Sequence, residues 1–146
     1  MLSQAAQWLF LGQRFEFASV NTGTEHVVAL AESVDGIDVA VLGRRVRDHS
    51  VLAPAGANVN FVQLIDRSTL RIRTYERGVE AETLSCGSGA VAAVTVARNA
   101  GAVTRGPVTV CNEAGIPLLV GRAGDPQEAA VWLTGLAMVV YRGEAA

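Results

Sequence analysis

Glu82-Thr83-Leu84-Ser85-Cys86-Gly87-Ser88-Gly89-Ala90-Val91-Ala92-Ala93-Val94-Thr95-Val96-Ala97-Arg98-Asn99-Ala100-Gly101 decides the fold of this chain. From Ala90 onward the run has almost no polar face, so as a helix it is buried nearly all round. Its small residues let strands approach closely. Gly101 suits the left-handed position that ends a helix. Cys86 then stands at the N-terminus of a central helix, where free backbone N–H groups and the helix dipole favour negative charge. That setting favours the thiolate. The amides of Gly87, Ser88 and Gly89 can also hold a carboxylate or oxyanion beside the sulfur. The same segment reads equally well as a buried structural cysteine in a helix-start loop.

Upstream of it, residues 60–66 and 69–75 are strand-like runs joined by Arg67-Ser68, a hairpin with short-turn spacing. The second run delivers Glu76-Arg77 at its end. A carboxylate and a guanidinium side by side can bind both ends of a zwitterion, or form a surface ion pair. Residues 79–85 read as a loop. Further back, residues 14–20 alternate as a strand and Asn21-Thr22-Gly23-Thr24 is turn chemistry. His26 opens a buried strand over 26–31, as a structural or a catalytic histidine. A helix is predicted over 38–48, capped by Asp38, with Arg44, Arg45 and Arg47 on a solvated face. Residues 54–58 read as a loop, and Asn58 and Asn60 at the following strand entry fit turn chemistry. Glu82 reads as a capping or orienting carboxylate near the helix start. His49 reads as solvated and Cys111 as an inert strand residue. Downstream, strands are predicted at 108–111, 116–120, 130–134 and 138–141, with turns at 112–115, 124–126 and 134–135. Residues 1–11 fit nothing that follows and read as a short helix, a start-site artefact or a remnant. Many strands with one very apolar helix predict an α+β domain, a curved, mostly antiparallel sheet wrapped around that helix.

The 146 residues suffice for one domain with a real core. Half are hydrophobic and the formal net charge is −2, which excludes disorder and points to no nucleic-acid or membrane partner. No apolar run is long enough to span a bilayer, and the N-terminus lacks signal-peptide features. Two cysteines in such different contexts predict a reducing, cytoplasmic location. No His, Cys and carboxylate cluster has metal spacing, and no glycine-rich loop has P-loop or dinucleotide-binding form.

Five stretches in order carry a resemblance: Val20-Asn21-Thr22-Gly23-Thr24-Glu25-His26-Val27-Val28, Asn58-Val59-Asn60-Phe61-Val62, Tyr75-Glu76-Arg77-Gly78, 82–90, and Val131-Trp132-Leu133-Thr134-Gly135-Leu136-Ala137. Together they resemble the C-terminal half of diaminopimelate epimerases, over residues 12–146. The resemblance implies two similar halves facing each other, each wrapping a sheet around a helix and supplying one cysteine to a cleft. It implies a cofactor-independent reaction in which one cysteine takes the α-proton of diaminopimelate and the other returns a proton to the opposite face, in lysine and peptidoglycan precursor synthesis. It implies that Cys86 is one of the two and that Gly87 and Ser88 hold the reacting carboxylate. By the same resemblance Glu76 holds the reacting amino group, Arg77 and Asn58 hold the distal end, and His26 supports the charge state of Cys86.

The pattern is departed from in three places. Thr24-Glu25 stands where the family has Asn-Pro, losing an amide and adding a carboxylate. Val91 stands where a second cysteine is frequent. The half that would carry the partner cysteine is not in this sequence, and the chain reads as an N-terminally truncated epimerase: a fragment, a split frame or a separately encoded half. Four functions follow: a catalytic half needing its missing N-terminal half, a homodimer with two Cys86 facing each other, a non-catalytic domain binding an amino acid or a partner protein, or a related racemase acting on proline-type substrates.

Overall fold

The computed structural model describes residues 3–10, 13–122 and 130–144. In chain order its elements are β1 (Ser3–Phe10), β2 (Gln13–Asn21), β3 (Glu25–Ala31), α1 (Val39–Arg47), β4 (Asn58–Asp66), β5 (Thr69–Glu76), β6 (Ala81–Thr83), α2 (Gly87–Asn99), β7 (Val108–Cys111), β8 (Leu118–Arg122) and β9 (Val131–Thr134). The strands form one sheet in the order β1-β2-β3-β4-β5-β7-β8-β9, with β6 beside β5. Two neighbouring pairs are parallel, β3 with β4 and β5 with β7, and the others are antiparallel. Parallel neighbours need a crossover. α1 lies in the first crossover and α2 in the second.

The period-two alternation of the strands builds two cores. Phe15 and Phe17 of β2, Val27 and Ala29 of β3, and Val59 and Phe61 of β4 pack with Val39, Leu42 and Val46 of α1. The intervening residues Val20, Val28, Val62 and, on β5, Leu70 and Ile72 pack with the alanines and valines of α2. α2 touches β2, β3, β4, β5, β8 and β9, so the sheet curls around it. The α+β architecture is the one expected from the sequence.

α1 begins where expected, with the Asp38 carboxylate accepting from Val41 N at 3.0 Å. Its arginine face is exposed at Arg44 and Arg45, while Arg47 is tied to Glu80 and Asp48. α2 begins on Cys86 and ends as the sequence reads. Gly101 has φ +69°, and its N–H reaches the Arg98 carbonyl at 2.9 Å.

Other expectations are corrected. Ser3–Phe10 is not a helix but a strand running antiparallel to β2. Ala81–Thr83, read as loop, pairs with the end of β5 as β6. Asn58, read as loop, is the first residue of β4, because it pairs in register with His26. Residues 138–141 form no strand. A strand needs a partner ladder, and none among the described residues pairs with them, so Met138, Val139, Val140 and Tyr141 stay 72–83% exposed. The second downstream strand starts at Leu118 rather than at 116. The turn expected at 124–126 lies outside the described residues.

Candidate active site

The parity that sets Val28, Val62 and Ile72 against α2 also places His26, Asn60 and Thr74 on that face, two residues along each strand, towards the start of the helix. Asn60 lies across from Thr74 in the β4–β5 ladder. All three polar side chains are buried. Gly89, in the first turn of α2, lets the helix sit on them. A Cβ there would stand 2.6 Å from Asn60 Oδ1 and 3.2 Å from Cys86 Sγ.

Cys86 caps α2 with its own sulfur, which accepts from Gly89 N at 3.4 Å and lies 3.5 Å from Ser88 Oγ. It is half-buried and free, as is Cys111. Ser88 Oγ is 3.1 Å from His26 Nε2, and His26 Nδ1 is 3.1 Å from Asn60 Nδ2. His26 therefore does not touch the sulfur but reaches it through one hydroxyl. Burial, and then the positive charge of Arg77, push the His26 pKa from the ordinary 6.5 down to about 4, against a smaller opposing pull from Glu25. The ring is neutral at neutral pH and brings no positive charge to Ser88.

Glu76, Arg77 and Asn58 gather at the same sheet edge, beside His26. The Arg77 backbone N–H donates to Asn58 Oδ1 at 2.8 Å. Its guanidinium donates to the carbonyls of Ala55 and Gly56 and to Thr24 Oγ1, at 3.0, 3.3 and 3.1 Å. Thr24, one of the departures from the family pattern, is thus a bracket for Arg77. Glu76 accepts from Thr83 Oγ1 at 3.0 Å, which ties it to β6. Glu82 is not a cap for α2: it forms a two-pronged ion pair with Arg73 at 2.7 and 2.9 Å. A groove of about 420 Å³ opens beside Ser88, lined among others by Val20, Thr22, Val91 and Thr95. A larger hollow of about 540 Å³, lined by Leu30, Ser33 and Ile37 among others, lies at the other end of β3 and includes none of the candidate residues. Among the described residues no three His, Cys, Asp or Glu side chains are grouped to hold a metal. Among the described residues no helix is long and apolar enough to cross a membrane.

The structure thus brings Cys86, Ser88 and His26 into one chain of contacts, and Arg77 and Asn58 into another. From sequence Asn60 reads as turn chemistry, whereas it is a buried residue within β4, and Thr74 was passed over. One signal for them was present: each is a polar residue at a strand position whose parity faces the apolar helix.

A curled mixed sheet closed on a central helix is a class of fold that other solved proteins share. The chain is similar to a hydroxyproline epimerase from Agrobacterium vitis, at TM-score 0.63 and 18% identity over 92% of this chain and 46% of that one. It is also similar to a phenazine biosynthesis protein of the PhzF family from Enterococcus faecalis, at TM-score 0.52 and 17% identity over 68% of this chain and 34% of that one. Within that class the family model of diaminopimelate epimerase matches residues 18–137, and the chain belongs to this family of isomerases. It is 44% identical to the diaminopimelate epimerase of Aquifex aeolicus over 85% of this chain and 44% of that protein. To the diaminopimelate epimerase of Methanothrix thermoacetophila it is 46% identical, over 88% and 43%. The chain spans about half the length of the curated relatives it matches.

Proposed function

We propose that this chain supplies one side of a cofactor-independent epimerisation at the α-carbon of diaminopimelate, residues 12–146 serving as the C-terminal half of the enzyme. The observation that carries the reading is the Cys86 sulfur at the first turn of α2, accepting from the Gly89 N–H at 3.4 Å and 3.5 Å from the Ser88 hydroxyl. In this reading Cys86 as thiolate removes the α-proton. The C–H electron pair passes into the carboxylate, whose growing charge meets the N–H groups of Gly87 and Ser88. Glu76 receives the reacting ammonium. Arg77, bracketed by Thr24 and the carbonyls of Ala55 and Gly56, holds the distal carboxylate with Asn58. Return of a proton to the opposite face needs a second acid. It comes from a complementary half or from a second copy of the chain. A reduced thiol of this kind fits the cytoplasm.

Proton removal needs only one base, and inversion needs two. The purified chain in D2O should therefore exchange the α-hydrogen of diaminopimelate for deuterium, read by NMR, and Cys86→Ala should abolish the exchange. Absence of exchange by the chain alone and with a complementary half added would overturn the reading.

A further inference from the structure

Asn60 and Thr74 have no part in the reaction as drawn, yet both are buried polar side chains at its centre. Asn60 Nδ2 lies 3.1 Å from the Val27 carbonyl oxygen and 3.1 Å from His26 Nδ1, while Asn60 Oδ1 accepts from Thr74 Oγ1 at 3.0 Å. A carbonyl can only accept, so the amide group facing Val27 is the NH2. Its second hydrogen points at His26 Nδ1, which must then be bare. A neutral imidazole carries one N–H, and here it falls on Nε2, 3.1 Å from Ser88 Oγ. Because Ser88 Oγ accepts from the ring, its own proton is left to turn to the sulfur 3.5 Å away.

We propose that Asn60, braced by Thr74 and the Val27 carbonyl, is a positioning residue that locks His26 in the Nε2–H tautomer and so directs the Ser88 hydroxyl proton onto the Cys86 sulfur. In the other tautomer Nε2 would accept from Ser88, and the sulfur would lose its donor. Protonation of Nδ1 would set N–H against N–H, in keeping with a ring held neutral by burial and Arg77. Hydrogen bonds to an anion are the strong ones, so a donor aimed at sulfur favours the thiolate. The catalytic meaning rests on the reading of Cys86 as the proton carrier; the tautomer does not.

Two measurements on the whole chain test this without substrate. Nitrogen-15 NMR of the histidine ring should show the proton on Nε2 and a bare Nδ1. A proton on Nδ1 in the wild type overturns the proposal with no variant needed. In a Cys111→Ser background, the pH profile of Cys86 alkylation by iodoacetamide should move up by about one unit in Asn60→Leu, the worth of one hydrogen bond to a charged group. The rate below the midpoint then falls about tenfold. Ser88→Ala should move the profile by a similar amount, and Asn60→Leu should add nothing to it. Thr74→Val, nearly isosteric, should give a smaller shift in the same direction. An Asn60 effect undiminished in the Ser88→Ala background, or no effect in either Asn60→Leu or Thr74→Val, would overturn the relay. A chain that shows the tautomer and the shifts but exchanges no α-proton, alone or with a complementary half added, keeps the relay and sinks the epimerase reading instead.

Discussion

On the α1 side of the sheet, β2, β3 and β4 present Phe17, Ala29 and Phe61, and the helix begins on an aspartate. On the α2 side the same strands present Val20, His26 and Asn60, and the helix begins on a cysteine. Alternation along one set of strands thus feeds two cores of different kinds. The first is built of apolar side chains and Tyr75 and closes with three phenylalanine rings, Phe15, Phe17 and Phe61, with centroids 5.8–6.1 Å apart. The second trades apolar contact for a buried hydrogen-bonded line ending at a thiol. Both faces carry an apolar core, and the polar candidate site lies at one end of the second.

The largest effect that separates the two faces is expected from Phe61→Ala. Phe61 is fully buried, so its truncation should cost about 3–5 kcal/mol in urea unfolding. The alkylation rate of Cys86 in the folded fraction should stay unchanged. A change in that rate comparable to the Asn60→Leu effect would mean that the faces are not independent.

A smaller effect comes from acid through His26, on the α2 face. His26 titrates at about 4 in the fold against 6.5 ordinarily. Between those values the unfolded chain binds more protons than the folded one. The contribution is therefore full above pH 6.5 and is lost as the pH falls towards 4, on the order of 3 kcal/mol. Urea unfolding at pH 7.5 and 4.5 should show a larger loss for the wild type than for His26→Gln. Equal losses would mean that His26 is not the buried neutral ring on which the relay depends.

How much of this was legible in the sequence follows the same division. The apolar run 90–100, the alternating runs around Arg67-Ser68 and the Asp38 cap each carry their signal locally, and their elements appear where expected. Cys86 was legible because a thiol before small residues and an apolar helix is a local pattern. β1 was not, since Ser3-Gln4-Ala5-Ala6-Gln7 lacks alternation and becomes a strand by pairing with β2. Residues 138–141 show the converse, a strand-like run without a ladder. The roles of Asn60 and Thr74 depend on which strand lies beside which, and in what register. The parallel pairing of β3 with β4 brings His26 and Asn60 together across 34 positions of sequence, and no local pattern records that.

The smallest predicted effect compares the two helix starts. Asp38 caps α1 with a carboxylate oxygen 3.0 Å from its N–H, and Asp38→Ala should cost about 1 kcal/mol. Cys86 caps α2 with a sulfur at 3.4 Å, and sulfur is a weak acceptor. Serine is among the preferred residues at this position and cysteine is not. Cys86→Ser should therefore leave the fold as stable or raise its stability by a few tenths of a kcal/mol, while removing all α-proton exchange. That opposite movement of stability and exchange is what a site kept for chemistry predicts. A loss of stability as large as that of Asp38→Ala would make Cys86 a structural residue after all. The two helix starts would then differ only in the atom that does the capping.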